Sequence, residues 1–136
     1  MENIDVNVKK TNTGLGLFAN RDFKKGDFII EYTGEKISED EANRRGGKYL
    51  FELNDEWTID AKGRENLARY INHSCKPNSK PEIDDKEEHI FIYATKKIKV
   101  GDEITYNYGK WYLDEIIGRA NCQCTACLAK RSEKGS

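Results

Sequence analysis

Residues Asn66 to Asn78 read NLARYINHSCKPN, and the organisation of the whole chain is read outward from them. A short helical piece, Glu65 to Ile71, runs into an Asn-His pair, then Cys75, then a Pro-Asn turn. Taken alone, Asn72-His73 is more often a satisfied turn pair than a ligand site. Here Arg69, Tyr70, Cys75 and Asn78 crowd the same segment. A corner so rich in donors can hold the carboxylate, amine and purine edges of a ligand.

A second dense patch, GDEITYNYG, runs from Gly101 to Gly109. Tyr106 and Tyr108 alternate along a strand, so their side chains share a face. Two such tyrosines are ordinarily packing residues with wet hydroxyls. With Trp111 and Tyr112 close behind, they also suit a slot for a cation or a long lysine stem. Gly14-x-Gly16 is a weaker signal. It lacks the third glycine and the helix of a dinucleotide fingerprint, and glycines in a turn usually serve the turn alone.

Cysteines come next. Cys122-x-Cys124-x2-Cys127 holds three of the four in the chain, and Cys75 is the fourth. Three thiols do not fill a tetrahedral zinc site, but four do. Two disulfides are the alternative. The stretch MENIDVNVKK has no apolar core of a secretory signal, so the expected compartment is intracellular, nucleus or cytoplasm, and reducing. Thiols there more often bind metal than form disulfides.

Composition narrows the classes. At 136 residues the chain has room for one modest core. Its 23 basic and 24 acidic residues leave a net charge of −1, which argues against direct nucleic-acid binding through excess positive charge. No apolar run approaches the roughly 20 residues that span a bilayer, so no membrane association is expected.

Turn residues punctuate short strand-like runs, which predicts a mostly-β domain with short helices. Val6 and Val8 alternate with polar residues, Thr13 to Gly16 reads as a loop, and Leu17 to Ala19 resumes a strand. Lys24-Lys25-Gly26-Asp27 is a tight turn before Phe28 to Tyr32, and Lys99-Val100-Gly101-Asp102 has the same turn chemistry before Glu103 to Tyr106. No internal repeat or low-complexity segment appears. Ser38 and Glu41 form a capping box for a helix that Gly46-Gly47 ends. Tyr49 to Leu53 and Trp57 to Ile59 pair across Asn54-Asp55-Glu56, His89 to Thr95 is β-rich, and Trp111 to Ile117 predicts a last short helix.

Taken together, these segments resemble the SET-domain protein-lysine methyltransferases, from Val8 to Cys127 and in the family's motif order. TGLGLFA is similar to the family's N-terminal glycine loop, EYTGE to the strand after it, and KYLFEL with TIDA to the variable insert and its return. NLARYINHSCKPN and GDEITYNYG are similar to its two central segments, and CQCTAC to a post-SET zinc loop. The chain departs from the pattern at Leu15, Phe18 and Asn107, and its last two cysteines are two residues closer than usual.

The resemblance implies a fold of small sheets with a C-terminal pseudoknot that brings Asn72 beside Tyr108. It implies a catalytic domain over residues 1–117, a post-SET zinc-binding loop over 118–130 and a frayed tail over 131–136. S-adenosylmethionine would lie against Leu15, Gly16 and Leu17, mainly through their backbone. Tyr49 and Arg69 would meet its methionine end, Asn72 and His73 its amine and adenine, and Tyr112 would cover the adenine. Tyr108 would be catalytic. Tyr106 would tune the product, and Phe51, Tyr106 and Tyr108 would line the lysine channel. One structural zinc would take Cys75, Cys122, Cys124 and Cys127. Only Met1 to Lys10 precede the core, so substrate recognition is expected from the insert, Ile37 to Asp60, and the C-terminal loop. The implied activity is mono-methylation of lysine in a basic protein such as a histone tail. A non-catalytic SET-like module that docks through its zinc loop is the alternative.

Overall fold

Ile90, Ile92 and Ala94 are buried while Phe91 and Tyr93 between them are half-exposed, the period-two pattern of a strand with one wet face. The chain repeats this device in short lengths. The structure, a computed structural model, describes residues 5–11, 14–46, 49–84, 86 and 88–108. The helix expected at Trp111 to Ile117, the loop at 118–130 and the tail lie outside those residues.

Three small sheets result among the described residues, as expected for this fold class. The first has the order β1-β2-β10-β7, where β1 is Val6–Thr11, β2 Gly14–Ala19, β10 Glu103–Tyr106 and β7 Asn72–His73. The second is β3-β9-β8, from Phe28–Glu31, Ile90–Ala94 and Ser79–Ile83. The third is β4-β6-β5, from Glu35–Ser38, Trp57–Asp60 and Leu50–Glu52. One helix, α1 (Glu39–Arg45), and one 3₁₀ segment, Leu67–Tyr70, complete the described elements. Val6, Leu17, Phe23, Ile71, Ile90, Ile92, Ile98 and Ile104 form the heart of the core. Each such side chain contributes about 1.5–3 kcal/mol on burial.

Several expectations change in detail. Thr13 to Gly16 is not a loop throughout: Gly14, Leu15 and Gly16 pair with Thr11, Lys10 and Lys9, so β2 begins at Gly14. Asn72-His73 is a short strand rather than a turn, because Thr105 and Tyr106 offer it a parallel partner. Glu65 to Ile71 tightens to 3₁₀ geometry over Leu67–Tyr70. Two strands were not legible beforehand. In β4 only Ile37 is buried. In β8 Pro81 spoils the pattern, yet β8 is an edge strand, where a missing N–H is tolerated. Helix α1 starts and stops where expected. Ser38 Oγ accepts from Glu41 N–H at 3.2 Å, and Gly46, at φ 58°, donates to Ala42 O at 3.0 Å. The other half of the capping box is replaced: the Glu41 carboxylate turns to Arg44 and Arg45.

The two Gly-Asp turns prove to be halves of a two-fold arrangement that the sequence hides. Phe23 and Ile98 exchange both backbone hydrogen bonds, at 2.8 and 2.9 Å. Gly26 donates to Ala94 O and Ala94 to Asp27 O; likewise Gly101 donates to Ala19 O and Ala19 to Asp102 O. Asp27 and Asp102 each cap their own turn, accepting from Lys24 N–H at 2.8 Å and Lys99 N–H at 3.0 Å. Both glycines sit at φ 91°, which side-chain-bearing residues rarely adopt. One copy launches β3 and the other launches β10.

Candidate active site

Strand β10 carries the site because it is gripped on both sides. On one side it pairs antiparallel with β2, Glu103 opposite Phe18 and Ile104 opposite Leu17. On the other it runs parallel to β7, Thr105 opposite Asn72 and Tyr106 opposite His73. Residues 72–79 then wrap it. Asn78 donates to Glu103 O at 2.8 Å and accepts from Thr105 N–H at 3.0 Å, and Ser79 Oγ donates to Thr105 O at 2.6 Å. This clasp sets His73 beside Tyr108, with Asn72 one residue before it on β7.

Tyr108 is fixed at both ends of its residue. Its hydroxyl donates to Ile71 O, and its backbone N–H donates to His73 Nδ1 at 3.0 Å. Since Nδ1 accepts, the neutral His73 ring carries its hydrogen on Nε2, which lies 3.5 Å from Cys75 Sγ. Burial lowers the His73 pKa, in keeping with that neutral ring.

A file of aromatic rings leads away from this corner. Tyr108 and Tyr106 are 4.9 Å apart between ring centres, Tyr106 and Phe51 6.3 Å, and Phe51 and Tyr32 5.3 Å. Tyr32 was not singled out beforehand, although EYTGE contains it. Its hydroxyl donates to Tyr49 O at 3.0 Å, and burial, with Asp60 second, raises its pKa. Tyr49 in turn lies under Arg69, the guanidinium 3.7 Å from the ring centre. Arg69 also donates to Ala61 O at 2.9 Å and Tyr70 Oη at 3.2 Å.

The glycine segment meets the same corner from β2. Asn72 Nδ2 donates to Leu15 O at 3.0 Å and to Glu103 Oε2 at 2.8 Å. Leu15 is half-exposed, whereas the Leu17 side chain is wholly in the core, so Leu17 has only backbone to offer a ligand. Glu103 is a second residue the sequence did not flag. A cleft of about 520 Å³ lined by Glu41, Arg44, Arg45, Tyr49, Asp60 and Lys62 lies off to one side. It shares only Tyr49 with the expected cofactor residues. Its charges answer one another, Arg45 binding Glu35, Glu41 and Asp60 at 2.9–3.0 Å.

Cys75 is half-buried beside His73. Its three expected partners, Cys122, Cys124 and Cys127, and the expected adenine cover, Tyr112, lie outside the described residues. Among the described residues no group of three or more metal-binding side chains is assembled. No helix among them is long and apolar enough to cross a membrane.

A sequence model of the SET domain family matches residues 14–109. The chain belongs to the SET-domain family. Over 123 residues it is 40% identical to Histone-lysine N-methyltransferase 2D of Homo sapiens, a match covering 83% of this chain and 2% of that protein. Over 135 residues it is 38% identical to Histone-lysine N-methyltransferase ASHH3 of Arabidopsis thaliana, covering 91% of this chain and 36% of the relative. Among solved structures, an active Polycomb repressive complex 2 in the basal state superimposes with a TM-score of 0.71 at 43% identity, over 77% of this chain and 15% of that one. A Polycomb repressive complex 2 with H3K27me3 and H3K27M gives 0.70 at 41%, over 77% and 14%. This SET domain thus spans a small part of each relative's length.

Proposed function

We propose that this SET domain is an S-adenosylmethionine-dependent protein-lysine N-methyltransferase. The observation that carries the proposal is the junction at Tyr108, where the aromatic file of Phe51, Tyr106 and Tyr108 meets the polar corner of Asn72 and His73. One end suits a lysine stem and the other a polar, amine-bearing cofactor. The residues fit that cofactor. The Asn72 amide already spends both hydrogens on protein, so its oxygen is left for an ammonium.

S-adenosylmethionine supplies a methyl group on a good leaving group when bound. Leu15, Gly16 and Leu17 would hold it through backbone, Tyr49 and Arg69 at the methionine end, and Asn72 and His73 at the amine and adenine. What this chain must do is present a neutral lysine amine. A free lysine has a pKa of about 10.4, so neutrality at pH 7 costs roughly 4–5 kcal/mol. A dry slot walled by Phe51, Tyr106 and Tyr108 disfavours the charged form and offsets part of that cost. With its hydrogen on Ile71 O, the Tyr108 hydroxyl has only lone pairs to offer, and these orient an amine N–H. Held orientation supplies much of the remainder.

The finer features belong to the same proposal. The preferred product is mono-methyl-lysine, because the buried Tyr106 adds a hydroxyl to the slot. One zinc is held by Cys75, Cys122, Cys124 and Cys127, and ties residues 118–130 to the edge of the cofactor corner, where Tyr112 covers the adenine. Cys75 suits this role, a thiol two residues from His73 at the site's rim. The substrate is a basic protein, a histone tail in keeping with the relatives' names, met in the nucleus or cytoplasm. Glu39, Asp40, Glu52, Asp55 and Glu56 are exposed around the insert and available to a basic peptide, whereas Glu41 is taken by Arg44 and Arg45.

The deciding experiment has two parts. Calorimetry should detect S-adenosylmethionine binding, and mass spectrometry should find a 14-Da adduct on lysine of a histone H3 or H4 tail or another basic protein. No cofactor binding by zinc-loaded protein would refute the proposal. Elemental analysis should give about one zinc per chain.

A further inference from the structure

We infer that Glu103 is a positioning residue, whose carboxylate locks the Asn72 amide so that only its oxygen faces the cofactor corner. The inference rests on the cofactor reading above and adds a residue to it. The Asn72 side chain has two hydrogens, both on Nδ2, and they go to Leu15 O at 3.0 Å and Glu103 Oε2 at 2.8 Å. A carbonyl and a carboxylate accept and do not donate. Turning the amide over would set Oδ1 against two acceptors, so the orientation is fixed by the neighbours. The free group is then an acceptor, which fits an ammonium and rejects a carboxylate.

Gly16 completes the device. A Cβ built there would stand 2.6 Å from Glu103 Oε2, 3.0 Å from Thr11 Cγ2 and 3.1 Å from Asn72 Nδ2. The carboxylate fills the space a side chain would need. Gly16 thus serves neither turn geometry nor a positive φ; it makes room for the lock. The backbone of Glu103 is pinned opposite Phe18 and by the bond from Asn78, so the carboxylate is presented from a rigid strand.

The test measures S-adenosylmethionine binding by calorimetry. Glu103→Ala frees one Nδ2 hydrogen and lets the amide turn, and the Kd should rise about tenfold or more. Glu103→Gln keeps an acceptor for Asn72 and should lose about threefold or less. Asn72→Asp faces Glu103 with a second carboxylate and should bind worst. Adding Glu103→Gln to it restores a donor–acceptor pair and should recover about tenfold. A structural role alone would not discriminate between ligands, so a cofactor analogue lacking the amino group is the sharper probe. Wild type and Glu103→Ala should bind that analogue equally. The inference is overturned if Glu103→Ala binds S-adenosylmethionine like wild type, if the paired change rescues nothing, or if the analogue shows the same loss.

A second readout needs no cofactor. In ¹⁵N spectra of the free protein, the Asn72 side-chain amide should be protected from exchange in wild type and Glu103→Gln, and unprotected in Glu103→Ala. Wild type that binds no S-adenosylmethionine yet keeps this protection would sink the functional proposal and leave the lock standing. Absent protection in wild type would sink the lock. If Glu103→Ala fails to fold, Glu103→Gln and the paired change carry the test.

Discussion

The turns at Lys24–Asp27 and Lys99–Asp102 share backbone shape, capping aspartate and mutual contacts, yet the strands they launch have different duties. After Asp27 comes Phe28, whose ring lies on an outer sheet face 6.0 Å from both Phe91 and Tyr93. After Asp102 comes Glu103, which reaches Asn72 and the space over Gly16. Three residues on, Glu31 pairs with His89 in solvent, whereas Tyr106 is buried in the aromatic file. The frame is the same and the company is not. Among the described residues β3 has one strand partner, β9, while β10 has two, because β7 lies along its far side. The proposed binding chemistry gathers where that extra strand brings Asn72 and His73.

The largest expected difference between the copies is at Tyr108 and its counterpart Thr33. Tyr108→Phe should cut lysine methylation about 100-fold or more while the cofactor Kd stays within about twofold, because on the proposed mechanism the hydroxyl acts on the reacting amine. Thr33 Oγ1 donates to Asn66 Oδ1 at 2.7 Å in an exposed position. Thr33→Val should leave turnover within about twofold. Mass-spectrometric rates for the two variants check both halves. Equal losses would mean that the two-fold frame, and not the β7 side, governs activity.

The two glycines sharpen the comparison. Gly26→Ala and Gly101→Ala each force a side chain into φ near 91°, and each should cost about 1–2 kcal/mol of stability, read as a Tm lower by several degrees. The stability costs should match, because nothing within 4 Å crowds either position. Cofactor affinity should separate them, Gly101→Ala weakening it several-fold as Glu103 shifts, Gly26→Ala leaving it alone. Differential scanning calorimetry and titration calorimetry on the same samples decide this.

What the sequence disclosed follows from how local each signal is. Asn72, His73, Tyr106 and Tyr108 stand in two continuous stretches, so their residue types could be read directly, and α1 announced itself through Ser38 and Gly46. Glu103 stood in plain view inside GDEITYNYG but looked like one of many surface acids. Its partner Asn72 is 31 positions away in sequence, and only the β10–β7 pairing joins them. Gly16 was read as a turn glycine because the crowding around it comes from three other strands, through Glu103, Thr11 and Asn72. Tyr32 drew no notice, since its place in the aromatic file depends on a contact with Phe51 across two sheets. The likeness of the two turns was legible in Lys24–Asp27 and Lys99–Asp102, but their pairing was not, because it runs through backbone bonds between Phe23 and Ile98.

Tyr106 and Glu31 occupy matching places, and Tyr106→Phe tests the buried one. On the proposed reading, the Tyr106 hydroxyl would hold a water or the amine by hydrogen bond, and a methylated lysine would have to displace it to react again. Losing a well-ordered water without replacing its bonds is unfavourable. Tyr106→Phe should therefore raise the share of di- and trimethyl-lysine several-fold, with the first-methyl rate within about threefold. A peptide time course followed by mass spectrometry reads both. Wild type that runs promptly to trimethyl-lysine would overturn the product assignment and leave methyl transfer intact.

The smallest effect is expected at the solvent end of the comparison. Glu31 lies 2.9 Å from His89 Nδ1, and its hydrogen bond is the main cause that holds the His89 pKa above the ordinary 6.5. Folding therefore strengthens proton binding at His89. The stability it contributes is present in full below the unfolded pKa, near pH 6.5, and is lost as pH rises through the higher folded pKa. The pair is exposed and screened by salt, so the change is slight. Other groups titrate in the same range, so the contribution is read as a difference between variants. Between pH 6 and pH 8, wild type should lose slightly more Tm than Glu31→Gln, and the excess should shrink in 0.5 M salt. NMR titration of the His89 ring should show the raised pKa in wild type and its fall in Glu31→Gln. Methylation should be indifferent to Glu31→Gln, because this copy of the strand lacks the β7 side. An activity loss from that change would show that the outer sheet face does more than carry the frame.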